Sequence, residues 1–244
     1  MFANLRIIRP QASHCTCFHL AAQTFVQSGL NLVDFFSIPS MSDEQVRFMA
    51  VNSATLRSTI QEKTAGKPFC IVTGHYGNWE LAGAILGECG FRTHAVALTH
   101  ANPIIERLYE TLRDRFGLVA HDVRYGLRQL LRGLPKGDAV AIVADRDYGS
   151  GGQKIAFFGH SVRFPKGAAV LCRRLGLVGI PGFLVRQRDG RYFLLLGDAV
   201  QAEGADEASW VTSFIQDYAY QYEAVINKDP TQFLNFYDFW SGIT

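Results

Sequence analysis

The sequence predicts an α/β fold, a single domain in which a mainly parallel or mixed central sheet is covered by helices. Short apolar runs, such as residues 69–73 and 139–144, have the composition of buried strands. Segments with helical periodicity separate these runs, and strands that alternate with helices form sheets covered on both faces. The length of 244 residues suits one domain of this kind.

Helices are predicted first along the chain. Apolar periodicity predicts a helix over residues 12–36, and Ser42 is expected to cap a second helix that runs to Thr64. A glycine and a proline in residues 65–68 end this helix before the first strand. We therefore divide the chain into an amino-terminal amphipathic helical segment, residues 1–40, and the domain that carries the site, residues 41–244.

The remaining chain alternates between the two kinds of element, and Asn78 is expected to cap the first of its helices. The predicted helices cover residues 79–89, 103–116, 125–134, 164–175 and 205–227. The predicted strands cover residues 93–98, 118–121, 139–144, 178–185 and 192–196. The last two strands are predicted to form a pair that turns at residues 188–190.

Composition and missing motifs exclude several classes of protein. Hydrophobic residues make up 48% of the chain and charged residues 19%, which is typical of an ordered globular domain. The net charge of +2 lacks the basic character of nucleic-acid binders. Five cysteines, an odd number without zinc-site spacing, favour reduced thiols and no metal. Neither a G-x-S-x-G hydrolase motif nor a phosphate-binding glycine loop occurs.

Unusual residues follow two of the predicted buried strands. Catalytic groups in open α/β sheets gather beyond the carboxyl ends of strands, so residues 74–80 and 145–154 are predicted to form two halves of one site. His75 follows the end of the strand, and Glu80 lies in the first turn of the next helix. Gly77, between them, allows the backbone to fold back so that the two side chains come into contact. An imidazole oriented by a carboxylate predicts a general base. The alternative is that Glu80 only complements the helix dipole.

The second half of the predicted site combines aspartates with glycines. Asp145 and Asp147 flank an arginine, and the glycines after them allow the backbone to approach a headgroup closely. We expect Asp145 or Asp147 to face His75 across one cleft at roughly 5 to 12 Å, the span of a typical ligand pocket. An apolar groove is expected beside this cleft.

Three segments carry a resemblance to a known family. GHYGNWELAG, residues 74–83, resembles the His-x4-Glu/Asp motif of the lysophospholipid acyltransferase superfamily. ADRDYGSGGQKIAFFGHSVRFPKGAAVLCRRLGLVGIPGF and NPIIERLYETLRDRFGL are similar to further blocks of its bacterial lipid A biosynthesis acyltransferases. The resemblance covers roughly residues 40–230, and three ordered motifs are more specific than the first one alone.

The resemblance implies an acyltransferase that moves a fatty acyl group to a hydroxyl of a membrane glycolipid, lipid A-like or related. It implies that His75 takes the proton of this hydroxyl and that Glu80 orients His75. The implied donor is a thioester of acyl carrier protein or coenzyme A, and no cofactor or metal is implied. Substrate-binding roles are implied for Asn78, Arg113, Asp145, Asp147, Gly149 and Lys166.

Two departures from the family leave questions open. The usual amino-terminal hydrophobic anchor is missing or short here, which leaves open whether an anchor is lacking from this chain. The ending NFYDFW, residues 235–240, replaces the family's tryptophan and His-Arg-Arg run and resembles a side branch of predicted acyltransferases. The alternatives are an acyltransferase of a phosphatidylinositol mannoside or polyene-lipid pathway, or a non-catalytic lipid-binding homologue.

The amino-terminal segment also bears on location. Residues 14–33 contain no Lys, Arg, Asp or Glu, but their Gln, Ser, Thr, Asn and His make a spanning helix unfavourable. Arginines cluster between Arg107 and Arg132 and fit an anionic surface, although a solvated helix face explains any one of them equally well. We expect a peripheral protein on the cytoplasmic face of the inner (cell) membrane.

Overall fold

The computed structural model describes residues 1–97, 102–122, 125–135, 137–147 and 151–241. A central sheet has the strand order β3-β2-β4-β1-β7-β8, and β5 and β6 form a separate hairpin. In chain order, the strands of the described residues are β1 (Phe69–Thr73), β2 (Thr93–Ala97), β3 (Leu118–Asp122), β4 (Ala139–Val143), β5 (Gln153–Phe157), β6 (His160–Phe164), β7 (Val178–Arg186) and β8 (Tyr192–Leu196). Strands β3, β2, β4, β1 and β7 are parallel, and β8 pairs with β7 in the antiparallel direction.

Helices cover both faces of this sheet, which confirms the predicted fold class. Within the described residues they are α1 (Phe2–Ile8), α2 (His14–Ser37), α3 (Asp43–Met49), α4 (Ser53–Thr64), α5 (Trp79–Glu88), α6 (Pro103–Arg115), α7 (Gly126–Leu130), α8 (Gly167–Leu175) and α9 (Glu207–Lys228). The described part of the chain also contains 3-10 turns at Ile38–Ser40 and Pro230–Gln232.

Alternation along β1 divides the core into two layers. Cys70 and Val72 face the layer that contains α8 and α9. Phe69 and Ile71 face the opposite layer, which contains α3, α4 and α5. All five side chains of β1 are buried, as a continuous apolar run in a central parallel strand predicts.

Parallel pairing brings the ends of β1 and β4 together. Thr73 lies opposite Val143 in the register, and the Ala144 N–H donates to the Thr73 carbonyl at 2.7 Å. The residues that follow these two strands therefore leave the same edge of the sheet side by side. This is the carboxyl edge, where such folds place their ligands.

The helix predicted from Ser42 to Thr64 is two helices in the structure, and contacts with the edge of the sheet explain the break. A single helix was expected from Ser42 to Thr64, but the chain leaves helical geometry between α3 and α4. There Val51 N–H donates to the Tyr192 carbonyl at 2.8 Å, and Asn52 exchanges hydrogen bonds with the Leu194 backbone. This segment thus forms hydrogen bonds with backbone groups of the edge strand β8 that would otherwise be unpaired, and for that reason it is not helical.

After α9 the chain returns to the carboxyl edge instead of ending beside that helix. The Gly77 N–H donates to the Gln232 carbonyl at 2.9 Å, and the Leu234 N–H donates to the His75 carbonyl at 2.7 Å. We call residues 229–241 the carboxyl-terminal tail. It pairs its backbone with the turn that follows β1.

Helix α2 borders the same edge and exposes large apolar side chains on its outer side. The Asn31 side-chain amide donates to the Gly77 carbonyl at 2.9 Å, which ties α2 to the turn after β1. In the part of the chain that the structure describes, no helix combines the length and the apolar character needed to cross a membrane.

Candidate active site

The turn after β1 depends on two glycines that place His75. A Cβ atom at Gly74 would lie 2.5 Å from the Tyr222 ring. Gly77 has φ of 60°, and a Cβ there would overlap the Leu184 carbonyl. Any larger residue at either position would displace the turn, so close packing fixes the direction in which His75 leaves the strand.

His75 and Asp145 form a hydrogen-bonded pair. His75 Nδ1 lies 2.6 Å from Asp145 Oδ1, and the His75 backbone N–H donates to Asp145 Oδ2 at 2.8 Å. Two contacts from one residue to both carboxylate oxygens fix the carboxylate relative to the ring. With Nδ1 occupied, Nε2 is the ring atom left to act on a substrate.

Asp145 is almost completely buried, at 1% exposure, and remains ionised because several donors surround it. Burial alone would raise the pKa of Asp145, but the His75 charge and the hydrogen bonds from His75 and Asn235 outweigh it and hold this pKa below its ordinary value. Tyr222 also donates its hydroxyl to Asp145 Oδ2 at 3.3 Å. Burial and the Asp145 charge raise the pKa of Tyr222, so this hydroxyl keeps its proton.

The structure differs from the sequence prediction in the partner of His75. The prediction assigned the orienting carboxylate to Glu80, whereas the hydrogen bond to Nδ1 involves Asp145. Glu80, in the first turn of α5, lies with its Oε2 3.5 Å from Nη2 of the buried Arg113. The parallel register explains the difference, because it sets the residues after β1 and β4 side by side, while Glu80 projects toward α6.

The separation of the two predicted halves is also shorter than expected. Asp145 or Asp147 was expected roughly 5 to 12 Å from His75, the span of a typical ligand pocket, and the distance for Asp145 is shorter. The prediction of one shared edge is confirmed, but the distance is 2.6 Å and the pair is in direct contact. Both carboxylate oxygens of Asp145 are therefore engaged by His75.

Asn78 and Asp147 line the central cavity but already bind protein groups. Asn78 accepts from the Leu81 N–H at 3.2 Å, as the predicted helix cap does, and donates to the Asn31 carbonyl at 3.1 Å. Asp147 Oδ2 accepts from the Gly152 N–H at 2.8 Å. Both side chains therefore have protein partners within the described residues.

Lys166 and Gly149 complete the set of predicted substrate-binding residues. Lys166 is exposed at the start of α8, between Pro165 and Gly167, which line the cavity. Gly149 lies outside the described residues. Among the residues that are described, no group of three or more His, Cys, Asp or Glu side chains is arranged to hold a metal ion.

Sequence reasoning did not identify Asn235, Tyr222 or Arg146 as parts of the site. Asn235 donates to Asp145 Oδ2 at 3.0 Å, and Arg146 lines the cavity while its Nε donates to Asn235 Oδ1 at 2.6 Å. The only sequence signal was the unusual carboxyl-terminal ending that contains Asn235. Its position next to Asp145 depends on the return of the tail, which local patterns do not encode.

A cavity of about 730 Å³ opens beside His75 and is mostly apolar. It runs between α5 and the sheet, and α2 forms another wall. His75, Trp79, Glu80, Arg113 and Arg146 contribute near its polar end. The apolar lining comes from Leu32, Phe35, Ile71, Ala82, Gly83, Leu86, Ala95, Leu118, Ala141 and Leu194, among others.

Fold and site together define a class of protein. The α/β domain carries a His–carboxylate pair at the carboxyl edge of its sheet, beside a mostly apolar cavity. This arrangement suits an enzyme that activates a hydroxyl beside an alkyl chain. The chain belongs to the bacterial lipid A biosynthesis acyltransferase family, whose sequence model matches residues 2–241. It is therefore an acyltransferase, as the three motifs predicted.

Individual relatives agree with this membership. The chain is 28% identical over 238 residues to the lipid A biosynthesis palmitoleoyltransferase of Escherichia coli (strain K12), which covers 95% of this chain and 74% of that protein. A lipid A biosynthesis acyltransferase of Shigella flexneri matches with the same identity and coverage. The lipid A biosynthesis acyltransferase of Haemophilus influenzae is 28% identical over 90 residues, which are 37% of this chain and 28% of that protein.

Proposed function

We propose that this acyltransferase moves a fatty acyl group from a thioester, of acyl carrier protein or coenzyme A, to a hydroxyl of a lipid A-like membrane glycolipid. The observation that carries the proposal is the His75–Asp145 pair at the polar end of an apolar cavity. The names of the relatives, lipid A biosynthesis acyltransferases, support the class of acceptor.

His75 is the proposed general base. Its Nε2 takes the proton from the acceptor hydroxyl while the oxygen attacks the thioester carbonyl carbon, and Asp145 stabilises the resulting imidazolium. The tetrahedral intermediate then collapses, the carbon–sulfur bond breaks, and the imidazolium returns its proton to the leaving thiolate. The products are an ester of the acceptor and a free thiol. A thioester is already activated, so the proposed reaction needs no metal or organic cofactor.

Arg113 is the proposed electrostatic group of the site. It is 8% exposed, lines the cavity and lies with its guanidinium 5.1 Å from the centre of the Tyr109 ring. A fixed cation near the reaction centre stabilises negative charge, whether that of the oxyanion or of a phosphate. The proposed role of Glu80 is to hold Arg113 in this position, because its carboxylate is the acidic partner of the guanidinium.

The cavity is the proposed site of an acyl chain. Ile71 precedes His75 by four residues, which places it about 13 Å away along an extended strand. Leu86 lies eight residues beyond Asn78, about 12 Å along α5. An alkyl chain between these walls gains about 0.8 kcal/mol for each methylene group that leaves water.

Peripheral attachment to the cytoplasmic face of the cell membrane is the proposed location. Phe18, Phe25, Leu32 and Phe36 are exposed and follow one another at helical spacing along α2. Leu32 also lines the cavity, so this face leads from the surface to the site. The face fits a lipid layer, and the thioester donors named above are cytoplasmic compounds.

The function is tested with purified protein, acyl carrier protein and coenzyme A thioesters of several chain lengths, and lipid A precursors in mixed micelles. Mass spectrometry should find an acceptor heavier by one acyl group, and phosphatidylinositol mannoside is included as the competing acceptor. His75→Ala should lower the rate by at least about a hundredfold, the lower range for a positioned base. Near-normal turnover by folded His75→Ala protein would exclude His75 as the base. Donor binding without any transfer would favour the non-catalytic homologue.

A further inference from the structure

Asn235, in the carboxyl-terminal tail, lies between the catalytic pair and the cavity wall. Its side chain is 0% exposed. Its Nδ2 donates to Asp145 Oδ2 at 3.0 Å, and its Oδ1 accepts from Arg146 Nε at 2.6 Å. One amide thus joins the orienting carboxylate to an arginine of the cavity.

Arg146 determines which end of this amide faces Asp145. A guanidinium only donates hydrogen bonds, and an ionised carboxylate only accepts them. The amide can satisfy both neighbours in one orientation alone, with its oxygen toward Arg146 and its nitrogen toward Asp145. A second bond, from Arg146 Nη2 to the Leu234 carbonyl at 3.0 Å, holds the guanidinium against the tail.

Backbone contacts fix Asn235 from two further directions. The Leu234 N–H donates to the His75 carbonyl at 2.7 Å, which attaches the tail to the turn that carries the base. From α1, the Asn4 side-chain amide donates to the Asn235 carbonyl at 2.7 Å. Asn235 therefore has little freedom to leave Asp145.

We propose that Asn235 is a positioning residue for the His75 base, a role that rests on the proposed function of His75. It holds Asp145 Oδ2 so that Oδ1 stays on Nδ1, and it stabilises the carboxylate in the ionised form. Oδ2 receives bonds from the His75 N–H, Asn235 and Tyr222. Asn235 is the short side-chain contact among them, since the Tyr222 bond measures 3.3 Å.

The pH profile of kcat/KM separates positioning from a structural role. Asn235→Asp keeps the size of the side chain and an acceptor for Arg146, but turns a negative oxygen toward Asp145. The pair then binds a proton more readily, so the acid limb of the profile should move to higher pH by about one unit or more. Asn235→Ala should move it in the same direction and lower kcat/KM at neutral pH by about tenfold, the effect of one charge-assisted bond.

The matched control is Asn227→Asp, the same asparagine-to-aspartate change at an exposed position of α9. Asn227 Oδ1 also accepts from an arginine, Arg9 Nη1 at 2.6 Å, so the new carboxylate keeps a partner in solvent. This variant should leave the acid limb in place. A uniform loss of activity across pH in both Asn235 variants would overturn the proposal, because an anchor of the tail predicts that result.

A measurement without substrate distinguishes this inference from the proposed function. The proton between His75 Nδ1 and Asp145 should give a far-downfield resonance in protein labelled with 15N-histidine, assigned by its loss in His75→Ala. The resonance should shift or broaden in Asn235→Ala and Asn235→Asp and stay unchanged in Asn227→Asp. An unchanged resonance in a folded Asn235 variant would overturn the positioning role, even if acyl transfer itself is established. If one Asn235 variant fails to fold, the other is sufficient for both measurements.

Discussion

At the scale of single residues, the two carboxylates near His75 have different partners. Asp145 is buried against the imidazole and the Tyr222 hydroxyl, whereas Glu80 is partly exposed and paired with Arg113. A carboxylate on Nδ1 sets the tautomer of the ring and stabilises its protonated form. A carboxylate on an arginine sets where a positive charge lies. Removing the charge of Asp145 should therefore mainly affect kcat, and removing the charge of Glu80 should mainly affect KM.

Asp145→Asn should lower kcat by at least about a hundredfold, because an amide cannot stabilise the imidazolium as a carboxylate does. Glu80→Gln keeps an acceptor for Arg113, so it should change kcat by less than about tenfold and mainly raise the KM for the donor. Steady-state kinetics measure which variant loses more kcat, and thermal unfolding shows that both variants are folded. A larger loss of kcat in Glu80→Gln than in Asp145→Asn would return the orienting role to Glu80.

At this scale the sequence predicted where His75 and Asp145 lie in the fold, but it did not predict which carboxylate binds His75. His75 and Asp145 were placed on one edge because both follow buried strands, and strand ends can be read from apolar runs. The direct bond between them depends on the register of β1 with β4, and a single sequence does not contain that register. Glu80 was favoured instead because it follows His75 closely on the turn after a buried strand and completes a His-x4-Glu motif like that of the family.

At the scale of elements, helix α5 and the sheet bound the proposed acyl site. Leu86 is the cavity residue farthest along α5 from the turn that follows β1, and Ile71 is the farthest back along β1. Ala141 lies opposite Ile71 in the β1–β4 register, at the same depth. Leu86, Ile71 and Ala141 all line the cavity, so side-chain volume at these positions should set the length of chain that fits.

Leu86→Ala should shift the preferred donor to longer acyl chains, and Ala141→Val should shift it to shorter ones. The first change enlarges the far end of the cavity, and the second narrows it with a side chain that a strand accommodates. Competition among thioesters of graded length, read by mass spectrometry of the products, measures both shifts. Leu86→Ala costs about 2–5 kcal/mol of stability, so the assay requires a temperature at which that variant is folded. An unchanged preference in both variants would place the acyl chain elsewhere.

Helices and strands were predictable where the alternation of apolar and polar residues was regular and the turns had their usual residues. The β5–β6 hairpin was not predicted, although Ile155 and Phe157 face inward in strict alternation with exposed neighbours. Its two-residue turn consists of Phe158 and Gly159, both with positive φ. Asparagine or aspartate before glycine is the usual signal for such a turn, and phenylalanine at positive φ is uncommon. Packing of the aromatic cluster around Phe157 and Trp240 therefore decides this hairpin.

At the scale of the whole molecule, α1 and the carboxyl-terminal tail contact each other next to the His75–Asp145 pair. The Asn4 side chain donates to the carbonyls of Asn235 and Tyr237 and accepts from the Phe239 N–H at 3.0 Å. Helix α1 thus holds the tail, and the tail holds Asp145. Contacts between residues more than 230 positions apart are the part of the fold that local sequence patterns describe least.

The apolar face of α2 gives the molecule one side suited to a lipid layer. Phe18 is 71% exposed on this face, and Phe25 contacts the ring of Phe236, which lines the cavity, at 4.9 Å between centroids. The apolar face therefore adjoins the lining of the cavity. Exposed apolar area of this kind is costly unless a partner covers it.

Phe18→Glu should weaken binding to anionic liposomes by about tenfold or more, since burial of one large apolar side chain contributes about 1.5–3 kcal/mol. The matched control is Tyr220→Glu, which makes a similar change at an exposed aromatic residue of α9 and should leave liposome binding unaltered.

Phe18 is remote from the polar end of the cavity, so turnover of a detergent-solubilised acceptor should survive the Phe18→Glu change. Turnover of an acceptor in vesicles should fall together with liposome binding. Co-sedimentation at low and high salt separates the apolar from the electrostatic contribution, because salt weakens only the latter. Equal binding by both variants and the unchanged protein would mean that another surface contacts the membrane.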